Sequence, residues 1–109
     1  MKMVMAIIRP DKFFIVKESL AQQGFYASTK WDVAGRGKQK GIQVGNVVYE
    51  EMSKTTLFIV CQDDDKNKVI DIIMDAAISG DGNPGDGKIF VLPVEESYTI
   101  SDRSKDEIE

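Results

Sequence analysis

Apolar residues recur along the chain at two different spacings, which predict a protein of mixed α and β structure. Residues 3–9 form a short apolar run of strand length, which Pro10 ends because proline has no N–H to donate and restricts the residue before it. Residues 25–34 and 55–62 are rich in β-branched and aromatic side chains and predict the second and third strands. Residues 88–94 predict a fourth strand.

Two helices are predicted between these strands. Asp11 is the predicted cap of the first helix and Gly24 its end, and the apolar positions between them recur at helical steps: Phe13, Val16 and Leu20. The acidic residues 63–65 precede the second helix, where negative charge favours a helix N-terminus. The second apolar stripe is the more regular of the two and comprises Val69, Ile72, Ile73, Ala76 and Ala77.

The order strand, helix, strand, strand, helix, strand predicts an α+β fold. We expect a ferredoxin-like βαββαβ sandwich with both helices on one face of a mainly antiparallel sheet and a long loop between strands 2 and 3. Such a sheet leaves one face uncovered, so a cyclic oligomer is expected. Residues 98–100 predict a short edge strand, and residues 101–109 predict a charged, flexible tail.

Composition narrows the functional classes. The chain has 109 residues, which favours one domain, and a formal net charge of -4, which argues against general binding of nucleic acid or anionic lipid. It contains no histidine, so the commonest general base and metal ligand is missing and an enzyme is disfavoured. Cys61, the single cysteine, predicts a buried thiol, and the short apolar runs predict a cytoplasmic protein.

A basic, glycine-rich segment follows the second predicted strand: Gly35-Arg36-Gly37-Lys38-Gln39-Lys40-Gly41. Glycines let backbone N–H groups approach an anion, and Arg and Lys add charge-assisted hydrogen bonds, so the segment favours a phosphate or carboxylate ligand. A solvated, flexible loop is the alternative. The long stretch from residue 36 to residue 53 favours a functional loop, because structureless connections of this length are uncommon.

A second glycine-rich segment, residues 79–88, joins the second helix to the fourth strand. Gly82, Gly87 and Lys88 have the spacing of a phosphate loop, but Ile89 stands where that motif requires Ser or Thr. The segment also runs from a helix into a strand, the reverse of the order a phosphate loop needs. We therefore reject a Walker motif. A plain turn and a second half of an anion site both remain open.

The sequence resembles the PII nitrogen-regulatory proteins through about residue 100. Three blocks carry the resemblance: Ala6-Ile7-Ile8-Arg9-Pro10, the segment from Gly35 to Gly41, and Gly85-Asp86-Gly87-Lys88-Ile89-Phe90-Val91. Residues 29–33, 41–45, 93–96 and 98–100 look like the nitrogenase-linked archaeal branch. The resemblance implies one domain over residues 1–100, with an effector loop at 36–54 and a phosphate loop at 80–88.

The resemblance implies a trimer with ATP or ADP in each cleft between subunits. The implied nucleotide-binding residues are Ile7, Thr29, Gly35, Gly37, Lys38, Gln39, Val60, Ser79, Gly85, Asp86, Gly87, Lys88 and Arg103. The implied 2-oxoglutarate-binding residues are Gly37, Lys38, Gln39, Lys40, Gly41, Lys54 and Gly85. Gln39 is the implied ligand of a Mg²⁺ ion, and no prosthetic group is expected. Thr99 and Ser101 stand where the family places arginines, with Arg103 two residues further on.

By resemblance, the chain is expected to regulate rather than catalyse. The implied target is nitrogenase, and the implied assembly is a homotrimer or a mixed oligomer with a second PII paralogue. The alternative target is an ammonium transporter, which would connect the protein to a membrane indirectly. ATP hydrolysis through Asp86 and Glu95 or Glu96 lacks a persuasive pair of carboxylates, and the acidic balance opposes RNA binding.

Overall fold

The structure, a computed structural model of the chain, describes residues 1–36, 42–44, 47–49 and 51–106. Five of the predicted site residues lie outside these ranges: Gly37, Lys38, Gln39, Lys40 and Gly41. The helices are α1 (Phe13–Gln22) and α2 (Lys66–Ala77). The strands are β1 (Lys2–Ile8), β2 (Thr29–Arg36), β3 (Ile42–Val44), β4 (Val47–Tyr49), β5 (Glu51–Cys61), β6 (Gly87–Pro93), β7 (Tyr98–Thr99) and β8 (Ser104–Lys105).

Four strands form the main sheet in the order β2-β5-β1-β6. Every pairing in it is antiparallel, and the central strand β1 places Val4 opposite Ile59 on β5 and opposite Val91 on β6. The two helices connect β1 to β2 and β5 to β6. This order and connectivity confirm the predicted ferredoxin-like α+β fold.

The core lies between the sheet and the two helices. Alternate side chains of β1 point into it, so Val4, Ala6 and Ile8 are at most 1% exposed. The helices contribute Val16, Leu20, Val69, Ile73 and Ala77, and Ile72 and Ala76 pack beside them. The predicted stripe of α2 is confirmed, as is the buried thiol of Cys61, whose pKa is raised mainly by burial.

Among the residues that the structure describes, no helix covers the opposite face of the sheet, and we call it the open face. It receives the remaining side chains of β1, namely Met3, Met5 and Ile7, together with their cross-strand neighbours. Four apolar residues of this face, Trp31, Val60, Phe90 and Leu92, are 41–47% exposed in the single chain. An apolar face of this kind is the surface that a second copy of the chain is expected to cover.

The second strand begins later than predicted. Residues 25–28 lie outside β2, because Gly24 takes a φ of 92° and turns the chain back at the end of α1. The N–H of Phe25 then donates to the carbonyl of Leu20 at 2.9 Å, and the Phe25 ring packs against the core. The predicted cap Asp11 is also wrong: it lies within the 3₁₀ turn Pro10–Lys12, and Lys12 precedes α1 without a side-chain cap.

The third predicted strand is longer than the sequence indicated. It begins at Glu51 instead of residue 55, because β2 continues to Arg36 and pairs Gly35 with Met52 and Arg36 with Glu51. Within the predicted effector loop, β3 and β4 form a two-stranded hairpin that is separate from the main sheet. The two long strands thus carry the base of this loop beyond the end of β1.

The last predicted strand does not join the main sheet. Tyr98 and Thr99 pair instead with Lys105 and Ser104 in a hairpin that extends into the segment predicted as a flexible tail. The carboxylate of Asp106 closes this hairpin, accepting from the Ser97 hydroxyl at 2.6 Å and from the Thr99 hydroxyl at 3.1 Å. Local side-chain hydrogen bonds therefore order residues that have little apolar content.

In the part of the chain that the structure describes, no helix combines the length and apolar character required to cross a membrane.

Two adjacent residues of α2 test the packing. Ile73 is fully buried and Met74 is 54% exposed. Ile73→Ala is expected to lower the free energy of unfolding by about 2–5 kcal/mol, because it leaves a cavity between helix and sheet. Met74→Ala, the matched control, is expected to change it by about 0.5 kcal/mol or less. Urea denaturation of both variants measures the difference, and equal effects would contradict the described packing.

Candidate functional site

The segment between α2 and β6 is organised around the carboxylate of Asp86. One of its oxygens accepts from the backbone N–H groups of Ser79 at 3.1 Å and Asn83 at 2.8 Å. The other accepts from Nε of Arg9 at 3.1 Å, just after the end of β1. Asp86 therefore links the two ends of its own segment to the central strand of the sheet.

Asn83 completes this arrangement. Its side-chain oxygen accepts from the N–H of Gly85 at 2.9 Å and from Nη2 of Arg9 at 2.9 Å. Asn83 and Asp86 form a capping box around the 3₁₀ turn Pro84–Asp86, with a proline at its first position. The guanidinium of Arg9 thus donates to the two side chains that cap the turn, and we call Arg9, Asn83 and Asp86 the loop clamp.

The loop clamp keeps Asp86 ionised. Backbone hydrogen bonds from Ser79 and Asn83, together with the Arg9 guanidinium, hold the pKa of its carboxyl well below the ordinary value of 3.8. Each of these donors favours the charged form, since a carboxylate accepts more strongly than a carboxylic acid. The Asp86 carboxylate is engaged within its own segment, so it shapes the loop and does not project from it.

Lys54 connects this loop to the base of the predicted effector loop. Its ammonium group is buried and donates to the carbonyl of Gly85 at 2.6 Å. Burial lowers the pKa of Lys54, and the nearby Arg9 lowers it further, whereas Asp86 raises it. A buried cation that has a carbonyl as its described partner is a good site for a carboxylate, because a second anionic partner would relieve the cost of burial.

Gly87 holds the loop against the sheet. Its φ is 117°, and a Cβ at this position would overlap the carbonyl oxygen of Ile7. Only glycine meets both requirements, because other residues rarely adopt this backbone conformation and all of them carry a Cβ. The close approach lets the N-terminal end of β6 begin pairing directly beside the end of β1, with Gly87 opposite Ile8.

The sheet register gives a common face to several predicted site residues. Ile7 lies opposite Lys88, Thr29 lies opposite Phe58, and Val60 lies opposite Met3, all on the open face. Lys54 is two positions before Thr56 on β5, so its side chain lies on the open face as well. The structure therefore brings Ile7, Lys54, Ser79 and the segment Gly85–Lys88 to one end of the sheet. Thr29 and Val60 lie on the same face, but toward its other end.

Within one chain, Thr29 and Val60 lie further along the sheet than the end that carries the loop clamp. Val60 is four positions along β5 from Thr56, the residue opposite Ile7, which corresponds to about 13 Å. Arg103 lies in the turn of the β7–β8 hairpin, with a φ of 59° and an exposed side chain. One chain therefore does not bring all the predicted nucleotide residues together.

A groove of about 290 Å³ lies between α2 and the loop. Most of its wall is apolar and comes from Ile8, Ile73, Met74, Ala77, Ile78 and Ile89. Ile8 and Ile89 belong to the helix-covered face of the sheet, whereas Ile7 and Lys88 belong to the open face. Asp86, Gly87 and Lys88 of the predicted nucleotide loop also line the groove, but its mainly apolar walls do not suit a polyphosphate.

Metal binding was predicted through Gln39, which lies outside the described residues. Among the residues that are described, no group of three or more Cys, Asp and Glu side chains could hold a metal ion. The part of Gln39 in a Mg²⁺ site stays a prediction.

Two residues of the loop clamp were not predicted as site residues. Arg9 belongs to a block that carried the resemblance, but the sequence did not indicate its partner in residues 83–86, far away along the chain. Asn83 could have been found, because Asn-Pro-Gly-Asp has the spacing of a capping box with proline at its first position.

Comparison with known proteins identifies relatives over nearly the whole chain. The family model described as nitrogen regulatory protein P-II matches residues 1–104. "Nitrogen fixation nifHD region GlnB-like protein 1" of Methanobacterium ivanovii is 50% identical over 105 residues, covering 96% of this chain and 98% of the relative. The protein of the same name from Methanococcus maripaludis strain S2 is 49% identical over 104 residues, covering 95% and 97%.

A nifHD2 region GlnB-like protein 1 of Methanosarcina barkeri is 50% identical over 105 residues, covering 96% of this chain and 98% of the relative. Among solved structures, Arabidopsis thaliana PII bound to citrate superposes with a TM-score of 0.79 at 30% sequence identity. The match covers 97% of this chain and 85% of the plant protein. Fold and family thus agree with the resemblance noted in the sequence.

Gly87→Ala is expected to destabilise the protein by about 3 kcal/mol or more, because the added Cβ would overlap the Ile7 carbonyl and force a strained backbone. Gly24→Ala is the matched control: its φ of 92° is also positive, but a Cβ there meets nothing within 4 Å. The control is expected to cost about 1–2 kcal/mol. Thermal and urea unfolding measure both, and a Gly87 variant as stable as the control would contradict the close approach.

The lowered pKa of Asp86 predicts a pH dependence of stability. Its contribution is fully present above the ordinary Asp pKa of 3.8 and is lost as pH falls below that value toward the lower folded-state pKa. The difference in Tm between the natural protein and Asp86→Asn is therefore expected to be constant near neutral pH and to shrink in acid. Asp71→Asn, on the exposed side of α2, is the control; a pH-independent difference for Asp86→Asn would refute the clamp.

Proposed function

Because the chain belongs to the nitrogen regulatory protein P-II family, we propose that it senses ATP or ADP together with 2-oxoglutarate and controls nitrogenase through its effector loop, residues 36–54. Proteins of this family are signalling regulators, are generally trimeric and bind small ligands such as ATP and 2-oxoglutarate. Relatives named for nitrogen-fixation gene regions support nitrogenase as the target.

One observation carries the proposal. The buried ammonium of Lys54 donates to the carbonyl of Gly85, so the cation proposed for 2-oxoglutarate touches the loop proposed for nucleotide phosphates. Ligands bound by these two groups would be neighbours. A dicarboxylate beside Lys54 would then be bound best when the nucleotide loop is itself occupied, which is the behaviour of a coincidence sensor.

The proposed nucleotide site uses residues from two chains. Ile7, Ser79 and Gly85–Lys88 supply one wall, with Lys88 donating to phosphate oxygens and Asp86 shaping the loop. Gly35, Gly37, Lys38 and Gln39 supply the wall on the side of the effector loop. Thr29, Val60 and Arg103 are proposed to come from a neighbouring copy, since Thr29 and Val60 lie toward the other end of the sheet and Arg103 lies in a hairpin outside the main sheet.

The proposed 2-oxoglutarate site lies beside the nucleotide. Lys54 pairs with the distal carboxylate, and Gly37–Gly41 and Gly85 present backbone groups to the other end, with the side chains of Lys38, Gln39 and Lys40 nearby. Gln39 would hold Mg²⁺ through its side-chain oxygen, and the ion would neutralise negative charge between the nucleotide and 2-oxoglutarate. The open apolar face of the sheet supports assembly into a homotrimer or a mixed oligomer.

Signalling requires that the effector loop have two arrangements with different ligand affinity. The loop emerges from β2 and β5, and Lys54 lies on β5 three positions after the strand begins at Glu51, so a ligand at Lys54 would lie close to the base of the loop. We propose that the loop engages nitrogenase when 2-oxoglutarate is scarce and releases it when ATP and 2-oxoglutarate are bound.

Titration calorimetry with Mg²⁺ tests ligand sensing. The protein is expected to bind ATP and, once ATP is bound, 2-oxoglutarate. Lys54→Met is expected to weaken 2-oxoglutarate binding about 10- to 100-fold, the value of one charge-assisted contact, and ATP binding about threefold or less. Lys17→Met, at an exposed lysine of α1, is the control. Binding of 2-oxoglutarate without nucleotide, or an unchanged affinity in Lys54→Met, contradicts the shared site.

The target is tested by affinity capture from nitrogen-fixing cells before and after a shift to ammonia. Nitrogenase is expected to be recovered after the shift and to be released by ATP with 2-oxoglutarate. Recovery of an ammonium transporter in place of nitrogenase would refute the proposed target while leaving ligand sensing intact.

A further inference from the structure

The loop clamp joins the residue that follows β1 to the turn that precedes β6, at the proposed ligand site. Arg9 follows the central strand, Asn83 and Asp86 cap the turn before β6, and Gly85 between them offers its carbonyl to Lys54. We infer that Arg9 and Asn83 are positioning residues that set the nucleotide loop and, through the Gly85 carbonyl, the ammonium of Lys54. This inference rests on the proposed function and adds to it the route that couples the two ligands.

The geometry of the guanidinium supports this role. Nε donates to Asp86 at 3.1 Å and Nη2 donates to Asn83 at 2.9 Å, so one planar group fixes two side chains of the turn at once. Each acceptor also receives backbone N–H groups of the loop itself. Loss of either acceptor would therefore release one of the two ties to Arg9 together with part of the internal hydrogen bonding of the loop.

The expected effect on the affinity of both ligands follows from the series of contacts that runs from Asn83 through Gly85 to Lys54. Gly85, which is buried, lies between the Asn83 side chain, which binds its N–H, and Lys54, which binds its carbonyl. A shift of Gly85 would move the Lys54 ammonium as well as the backbone groups of the loop that are proposed to face phosphate. Loosening of the clamp is thus expected to weaken both ligands, whereas loss of Lys54 itself weakens mainly the dicarboxylate.

Asn83 accepts two hydrogen bonds, from the Gly85 N–H and from Arg9, and substitutions can remove them separately. Asn83→Ser retains a short oxygen for the Gly85 N–H but does not reach Arg9, since serine is a good cap with a shorter side chain. Asn83→Asp retains an acceptor for both donors and adds charge toward Arg9. Asn83→Ala removes both contacts. Arg9→Lys replaces the planar fork by a single point charge, which serves one acceptor well but not two.

The test is calorimetry of Mg²⁺ATP, and of 2-oxoglutarate at saturating Mg²⁺ATP, on the full chain. Asn83→Ala is expected to weaken both affinities about tenfold or more, the effect of one lost hydrogen bond to a charged group. Asn83→Asp is expected to stay within about threefold of the natural protein, with Asn83→Ser and Arg9→Lys between these limits. Asn67→Ala, the same change at an exposed position of α2, is the control.

The outcomes separate this inference from the function on which it rests. If the natural protein binds neither ligand, the proposed function fails. If it binds both and Asn83→Ala binds them with unchanged affinity, or if Asn83→Asp fails to restore binding, the positioning role is overturned. Circular dichroism and Tm of each variant identify any that do not fold; Arg9→Lys and Asn83→Ser, which keep most contacts, then decide the question.

Discussion

The contact between the turn of residues 84–86 and the end of β1 is the constraint on which the candidate site depends. The Asp86 carboxylate accepts from Ser79, Asn83 and Arg9, and Gly87 brings the backbone against Ile7 too closely for any side chain. A glycine-rich segment would otherwise sample many conformations, because glycine has a large conformational entropy to lose. The ionised carboxylate offsets that entropy with charge-assisted hydrogen bonds and so makes one loop shape the stable one.

The remaining geometry follows from that loop shape. With Gly85 held in place, its carbonyl meets the buried ammonium of Lys54, and Lys54 belongs to β5, one of the two strands that lead into the predicted effector loop. A buried lysine is costly unless it has polar partners, so an anion bound beside Lys54 would offset part of that cost. The ferredoxin-like sheet thereby places a buried lysine, a glycine-rich loop and the base of the predicted effector loop at one end of β1.

The two faces of the sheet differ in how far they are buried within one chain. One is closed by α1 and α2 through residues such as Val4, Leu57 and Ile73, and this burial stabilises the chain. The other keeps Trp31, Val60, Phe90 and Leu92 about half exposed and carries the predicted nucleotide residues Ile7, Thr29 and Val60. Assembly through this face would bring the predicted nucleotide residues to the place where subunits meet, as expected of a family that is generally trimeric.

The sequence by itself determined the elements and the family. Hydrophobic spacing is a local property, so β1, α2 and β6 were predicted within a residue or two, and three sequence blocks, two of them containing glycine, identified the P-II resemblance. The tertiary structure was needed for three features: the late start of β2 after Phe25 returns to the core, the β7–β8 hairpin closed by Asp106, and the ties from Arg9 to Asn83 and Asp86. Hydrogen bonds between residues more than seventy positions apart leave no periodic trace in the chain, because only the folded sheet brings their donors and acceptors together.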